Sequence, residues 1–281
     1  MKKWIIGVIL LLVVGVLTAC GGNETTSKKS SDKETASEVI KIKIGATAGP
    51  YSDMVTKAIK PSLEEKGYEV EVVEFSDYIQ PNKALDNEDI QANLFQHTIY
   101  LNKFSKENNM ELTALIAVPT APMGIYSNKV KSFDDLKEGA TVAIPNDPTN
   151  AARAFNILKD QGLVSLDANA DPLTISEKDI KDNKKKLKFL PIEAGQLPRS
   201  VDSADLAAVP GNFALAAKMN LLDAIALENM LDQYRNVAAV KTANKDDQLA
   251  LDIKAVIESE EFEKVIDEQF KGFGKPEWME K

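Results

Sequence analysis

The sequence predicts an α/β protein made of two units, with two crossings between them and a ligand cleft where they face each other. Three observations lead there. Alternating strand-like runs and helical runs follow one another from Val39 to Val118. Pro119-Thr120-Ala121-Pro122 then interrupts them with two prolines in four residues, and a second strand–helix series begins at Met123. A late β-prone run, Val237 to Lys241, reads as the return crossing ahead of two closing helices. Strand–helix alternation argues for sheets that are largely parallel. A chain of 281 residues, 44% hydrophobic and 27% charged, has the length for one large or two small domains.

The first residues are read as a targeting segment. Lys2 and Lys3 precede an apolar run, Trp4 to Leu17, that is too short and too early to favour a spanning helix. The run ends in Leu17-Thr18-Ala19-Cys20, which matches a bacterial lipobox. Residues 1–19 are therefore expected to be a lipoprotein signal peptide, and Cys20 the lipidated mature N-terminus that tethers the protein outside the cytoplasm. Gly21 to Ser37 is mostly Gly, Ser, Thr, Lys and Glu with almost nothing to bury, so residues 20–38 are expected to be the lipidated Cys and a disordered tether. Its reach, about 5–6 Å times the square root of its length, is roughly 20–25 Å.

The folded part divides into residues 39–118 plus 241–281 as one lobe and 119–240 as the other. Val39 to Ile44 alternates cleanly and forms the first strand. A loop through Gly49-Pro50 and Tyr51 leads to a helix over about 52–66, stopped at Gly67. Tyr68 to Phe75 is the second strand, and Pro81 opens a short helix. Strands over 90–95 and 112–118 flank a helix over 96–108. In the second lobe, a strand at 123–127 and a helix at 132–137 precede the strand Thr141 to Ile144. Strands at 188–192 and 206–209 and helices at 196–201 and 212–218 complete it. Helices over 246–258 and 261–270 close the chain, and Lys184-Lys185-Lys186 reads as a solvated helix end.

The stretch from Thr141 to Gly162 carries the sharpest chemistry. Asp147 is a good N-cap and Pro148 suits the first helical position. Ala151, Phe155 and Leu158 make an apolar stripe, with Arg153 well off it, one turn in. A helix start is a natural anion site, and a guanidinium adds a forked grip on a carboxylate. Ligands of open α/β sheets sit beyond the carboxyl ends of strands. Tyr51, Phe75, Tyr78, Phe95 and His97 all fall at such ends in the first lobe, opposite Arg153. Tyr100 lies three residues beyond His97, on the same helix face. Phe95 reads better as core, and Tyr78, in a polar turn, better as cleft.

Composition narrows the functional classes. Net charge is -9, and loss of Lys2 and Lys3 takes it to -11, unsuited to nucleic acid or anionic lipid. The sole Cys is Cys20 and the sole His is His97, so no internal disulfide or multi-histidine zinc site is expected. There is no Gly-x-Ser-x-Gly elbow, no His-Glu-x-x-His and no phosphate-binding Gly-Lys-Ser/Thr loop. No cofactor and no metal are expected. A carboxylate-based surface hydrolase and an adhesion module are the competing readings.

Four separated motifs carry a resemblance to a known family. They are Phe75-Ser76-Asp77-Tyr78 with Pro81 to Leu85, Asp89 through Leu101 around Phe95-Gln96-His97, Pro145 through Asn150 with Arg153, and Gln196 to Ser200. In that order they resemble the NlpA family of methionine-binding lipoproteins across essentially the whole mature domain. The resemblance implies a two-lobed periplasmic-binding-protein fold of type II that hands methionine to an ATP-driven importer, an ABC permease with its ATPase. It implies no enzymatic step. Another amino acid, or a short methionine-containing peptide, is the alternative cargo. Arg153 would take the ligand carboxylate, and Phe75, Tyr78, His97 and Tyr100 would wall a slot for the thioether, with His97 hydrogen-bonded to the ligand. Asn212, ahead of Phe213-Ala214, stands near the family's usual Asn for the amino group, while Pro210 occupies a spot where other members can carry Asn.

Overall fold

A computed structural model describes residues 39–280. The expected signal peptide, Cys20 and the tether lie outside the described residues. The first unit runs β1 (Ile40–Thr47), α1 (Pro50–Met54), a π-helical stretch Val55–Ile59, α2 (Lys60–Glu65), β2 (Tyr68–Phe75), α3 (Gln80–Asp86), β3 (Ala92–His97), α4 (Thr98–Asn108) and β4 (Leu112–Ala117). The second holds β5 (Gly124–Tyr126), β6 (Thr141–Pro145), α5 (Pro148–Asp160), β7 (Ser165–Leu166), β8 (Ile180–Asp182), β9 (Lys188–Ile192), α6 (Leu197–Ser200), β10 (Leu206–Val209), α7 (Gly211–Ala216) and β11 (Ala226–Leu227). The chain then returns to the first unit as β12 (Asn236–Lys241), α8 (Gln248–Ile257) and α9 (Glu260–Gln269).

Two five-stranded sheets result, ordered β2-β1-β3-β12-β4 and β11-β5-β10-β6-β9. Both are mixed. β2, β1 and β3 are parallel, as are β10, β6 and β9, whereas β12 runs antiparallel to β3 and β4, and β5 antiparallel to β10 and β11. The first core gathers Ile42, Ile44, Val70 and Leu94 under Ile253, Phe262 and Ile266 of α8 and α9. The second packs Val142, Ile144, Leu206 and Ala208 against Ala154, Phe155 and Leu158 of α5. Period-two alternation in the strands and helical spacing in α5 place these residues on their buried faces.

Three expectations are corrected. Val237–Lys241 is a strand of the first sheet rather than a crossing, so the chain has already returned by Asn236. Its buried alanines and valines fit a central strand, covered on both faces. Residues 132–137 yield one 3-10 turn, Phe133–Asp135, held by a Ser132–Asp135 capping box. Lys184–Lys186 ends no helix: it lies in a turn, where the Lys185 ammonium donates to the carbonyls of Phe133, Asp134 and Leu136.

The crossings lie side by side. Val118 N donates to Asn236 O at 2.7 Å, Asn236 N to Thr120 Oγ1 at 2.8 Å, and Glu228 N to Met123 O at 2.9 Å. Thr120 also pairs with Gly274 of the C-terminal segment through two 3.0 Å bonds. At the rim the units approach closely. A Cβ at Gly195 would stand 2.7 Å from Ser76 O, and one at Gly49, whose φ is 97°, 2.9 Å from Ala216 Cβ. Neither spacing admits a side chain, so glycine is required at both positions.

Candidate functional site

The wall from the first unit is aromatic. Asp77 Oδ1 accepts from the N–H groups of Ile79 and Gln80, which fixes the turn after β2 and aims Tyr78 inward. The Tyr78 ring packs on Phe213 at 4.9 Å, and on Phe95 and Tyr100 at 5.8 Å each. Tyr100 donates to Tyr78 O at 3.0 Å. Tyr51, on α1, is fully enclosed, and burial pushes its phenol up to about 12. Burial likewise raises Tyr78 and Tyr100, so all three stay neutral hydroxyls at physiological pH.

The wall from the second unit is charged. Asp147 caps α5 by accepting Asn150 N at 2.9 Å, and its carboxylate also takes the Asn150 side-chain amide. Asn150 Oδ1 in turn accepts Arg153 Nη1 at 2.9 Å. Arg153 is 5% exposed, so it is no solvated surface residue. Its Nε donates to Glu228 Oε2 at 2.9 Å and its Nη2 to Glu228 Oε1. Burial pulls the Arg153 pKa down, but the charge and hydrogen bonds of Glu228 outweigh that and hold the guanidinium protonated. The Tyr234 ring lies 5.5 Å from its Cζ. With Nε and one Nη2 proton given to Glu228, and one Nη1 proton to Asn150, a proton remains on each of Nη1 and Nη2.

These walls meet in one nearly closed cavity of about 10 Å³, lined by Tyr51, Tyr78, His97, Tyr100, Arg153 and Asn212 among others. Three hydrogen bonds cross it: Tyr78 Oη to Asn212 Oδ1 at 2.7 Å, Asn212 Nδ2 to Thr47 Oγ1 at 3.3 Å, and His97 Nε2 to Asn150 Oδ1 at 3.2 Å. His97 also caps α4, its Nδ1 accepting Tyr100 N at 3.1 Å, which places the ring proton on Nε2. Burial, aided by the Arg153 charge, lowers its pKa to about 3.

Six of the seven expected residues thus share a cavity. Phe75 does not. Tyr68 and Val70 of β2 face the first core, and the pleat turns Val73 and Phe75 to the opposite face, against Leu85 and Ile90. Gly45 leaves that space open: a Cβ there would lie 2.9 Å from the Phe75 ring. His97 lines the cavity with its ring nitrogens paired to Tyr100 and Asn150. Phe95 is buried, as expected of core, and also lines the cavity.

Glu228, Asn150 and Asn236 are the residues that sequence reasoning missed. Asn236 opens β12 on the cavity wall, and its amide nitrogen donates to Phe95 O at 2.9 Å, which leaves Oδ1 as an acceptor. A single Glu or Asn carries no periodic signal. Asn150 did lie in the quoted Asn146-to-Asn150 turn, one helical turn from Arg153.

Known proteins share this architecture. The profile of the NlpA lipoprotein family matches residues 42–278. The probable D-methionine-binding lipoprotein MetQ of Vibrio cholerae is 36% identical over 248 residues, covering 87% of this chain and 91% of that protein. The methionine-binding lipoprotein MetQ of Bacillus subtilis is 33% identical over 277 residues, 97% of each. A nutrient-binding protein of Burkholderia cenocepacia, solved bound to methionine, superposes with a TM-score of 0.77 at 40% identity over 82% of this chain and 97% of that one. Two mixed sheets, a cavity between them and a profile that runs through both lead to one conclusion: this chain belongs to the NlpA lipoprotein family.

Proposed function

We propose that this protein is a lipid-anchored, extracytoplasmic carrier that captures methionine between its lobes and delivers it to an ABC import permease. The observation that carries the reading is the shared cavity, where Arg153 of one lobe meets Tyr78 and Tyr100 of the other. The free protons on Nη1 and Nη2 suit an end-on grip on a ligand carboxylate. The rings of Tyr78, Phe95 and Tyr100 suit a polarizable thioether. Asn236 Oδ1 and Asn212 offer neutral polar partners to the ammonium group. Relatives named as methionine-binding lipoproteins agree with that cargo.

The mechanism follows from the ligand touching both lobes. It favours the closed form by the contacts available only there, and the adjacent segments 118–123 and 228–236 act as the hinge. The permease would receive the closed form at the membrane to which Cys20 holds the protein. Native mass spectrometry of the domain purified without added ligand tests the cargo: a methionine mass adduct is expected, and an adduct of another mass would replace that assignment. Labelling cells with a palmitate analogue tests the anchor, which requires signal from the wild type and none from Cys20→Ala.

A further inference from the structure

The cavity presents a guanidinium to a carboxylate, yet it carries no surplus of positive charge. Glu228 holds the Nε–Nη2 edge of Arg153. Asp147 holds Asn150, which takes the third guanidinium bond. His97 is kept neutral by burial and by Arg153, and the phenols around it are neutral as well. The buried Glu228 carboxylate therefore cancels the one cation, and the half-buried Asp147 stands behind Asn150 as a second carboxylate, so the anchor carries no net positive charge before any ligand arrives. Glu228 is fixed in that place, since its side chain is 5% exposed and Oε1 also accepts Met123 N at 2.6 Å.

From this geometry we infer that Glu228, seconded by Asp147, makes a ligand ammonium group obligatory through charge rather than contact. A carboxylate alone would leave a net negative charge in a buried site, where Coulomb interactions are strong. A zwitterion brings its own compensating charge. Glu228 is thus a positioning and specificity-determining residue: it orients Arg153 and rejects α-hydroxy and α-keto acids of the same side chain. The inference rests on the methionine reading above.

The test is calorimetric titration of ligand-stripped protein with methionine and, separately, its α-hydroxy analogue. Wild type should prefer methionine strongly. Glu228→Gln should narrow that preference at least tenfold, Asp147→Asn, which keeps the N-cap, at least threefold, and Glu228→Asp should stay within threefold of wild type. A preference unchanged in Glu228→Gln overturns the inference while leaving methionine as cargo. If Glu228→Gln does not fold, Asp147→Asn decides, and an unaltered ratio there overturns it. A wild type that binds neither compound removes both the cargo reading and this inference.

Discussion

The two walls of the cavity are built from opposite materials. The first lobe contributes the Phe95 ring and the neutral phenols of Tyr51, Tyr78 and Tyr100, the last two spent on neighbouring groups. The second contributes Asn150 and Arg153, held from behind by Asp147 and Glu228 through a chain of charge-assisted bonds. Neither wall alone recognises an amino acid. An aromatic slot without a charged anchor binds many apolar groups, and a guanidinium without a slot binds any carboxylate. On the proposed mechanism selectivity requires closure, because only closure sets the two chemistries against one molecule.

The largest effect should come from breaking the charged wall. Arg153→Ala leaves Glu228 as an unpaired buried carboxylate, so the domain should lose about 3–5 kcal/mol of stability by denaturant titration. Arg153→Lys keeps the charge and discards the fork. It should fold, yet bind methionine more weakly by roughly 1.5–3 kcal/mol in calorimetry. Unchanged affinity in the Lys variant would remove Arg153 as the anchor.

The seam between the walls should show in pH dependence. His97 titrates near 3 when folded and near its ordinary 6.5 when unfolded. The unfolded chain therefore takes up a proton that the folded chain refuses. Stability is full above about pH 6.5 and falls as pH drops toward about 3, by at most about 1.4 kcal/mol per unit. Urea midpoints between about pH 6.5 and pH 5, above most carboxylate titration, should fall for wild type and stay flat for His97→Gln. An equal slope in both would mean that His97 is not the group responsible.

The aromatic wall should give smaller, ligand-dependent losses. Tyr78→Ala is expected to weaken methionine by roughly 1 kcal/mol more than it weakens alanine, since only the thioether uses the ring. Equal losses would locate the slot elsewhere. Phe75→Leu should change affinity least, within twofold, while costing less than about 1.5 kcal/mol of stability. A large affinity loss there would contradict its position behind β1.

Much of this was legible in the sequence where local rules act alone. Asp147-Pro148 marked the start of α5 because an N-cap and a first-turn proline are properties of neighbouring residues. The strand ends converged on one cleft because the order of elements constrains parallel sheets. Phe75 failed for a reason of parity: the bounds of β2 were right, but its position on the strand puts it on the face of Val73, away from Tyr68 and Val70. Glu228 failed differently, since one acid among 43 becomes special only when the fold brings it to Arg153. β12 was misread because a buried central strand and an apolar linker look alike in sequence.

The bare backbone at Gly195 has a further consequence. Where its hydrogen meets Ser76 O, a single methyl group would act as a wedge in a doorjamb. Gly195→Ala would leave every cavity residue in place and still slacken the grip, by tilting the population toward the gaping form. Tightness in this protein is thus partly written in an atom that its rim does not have.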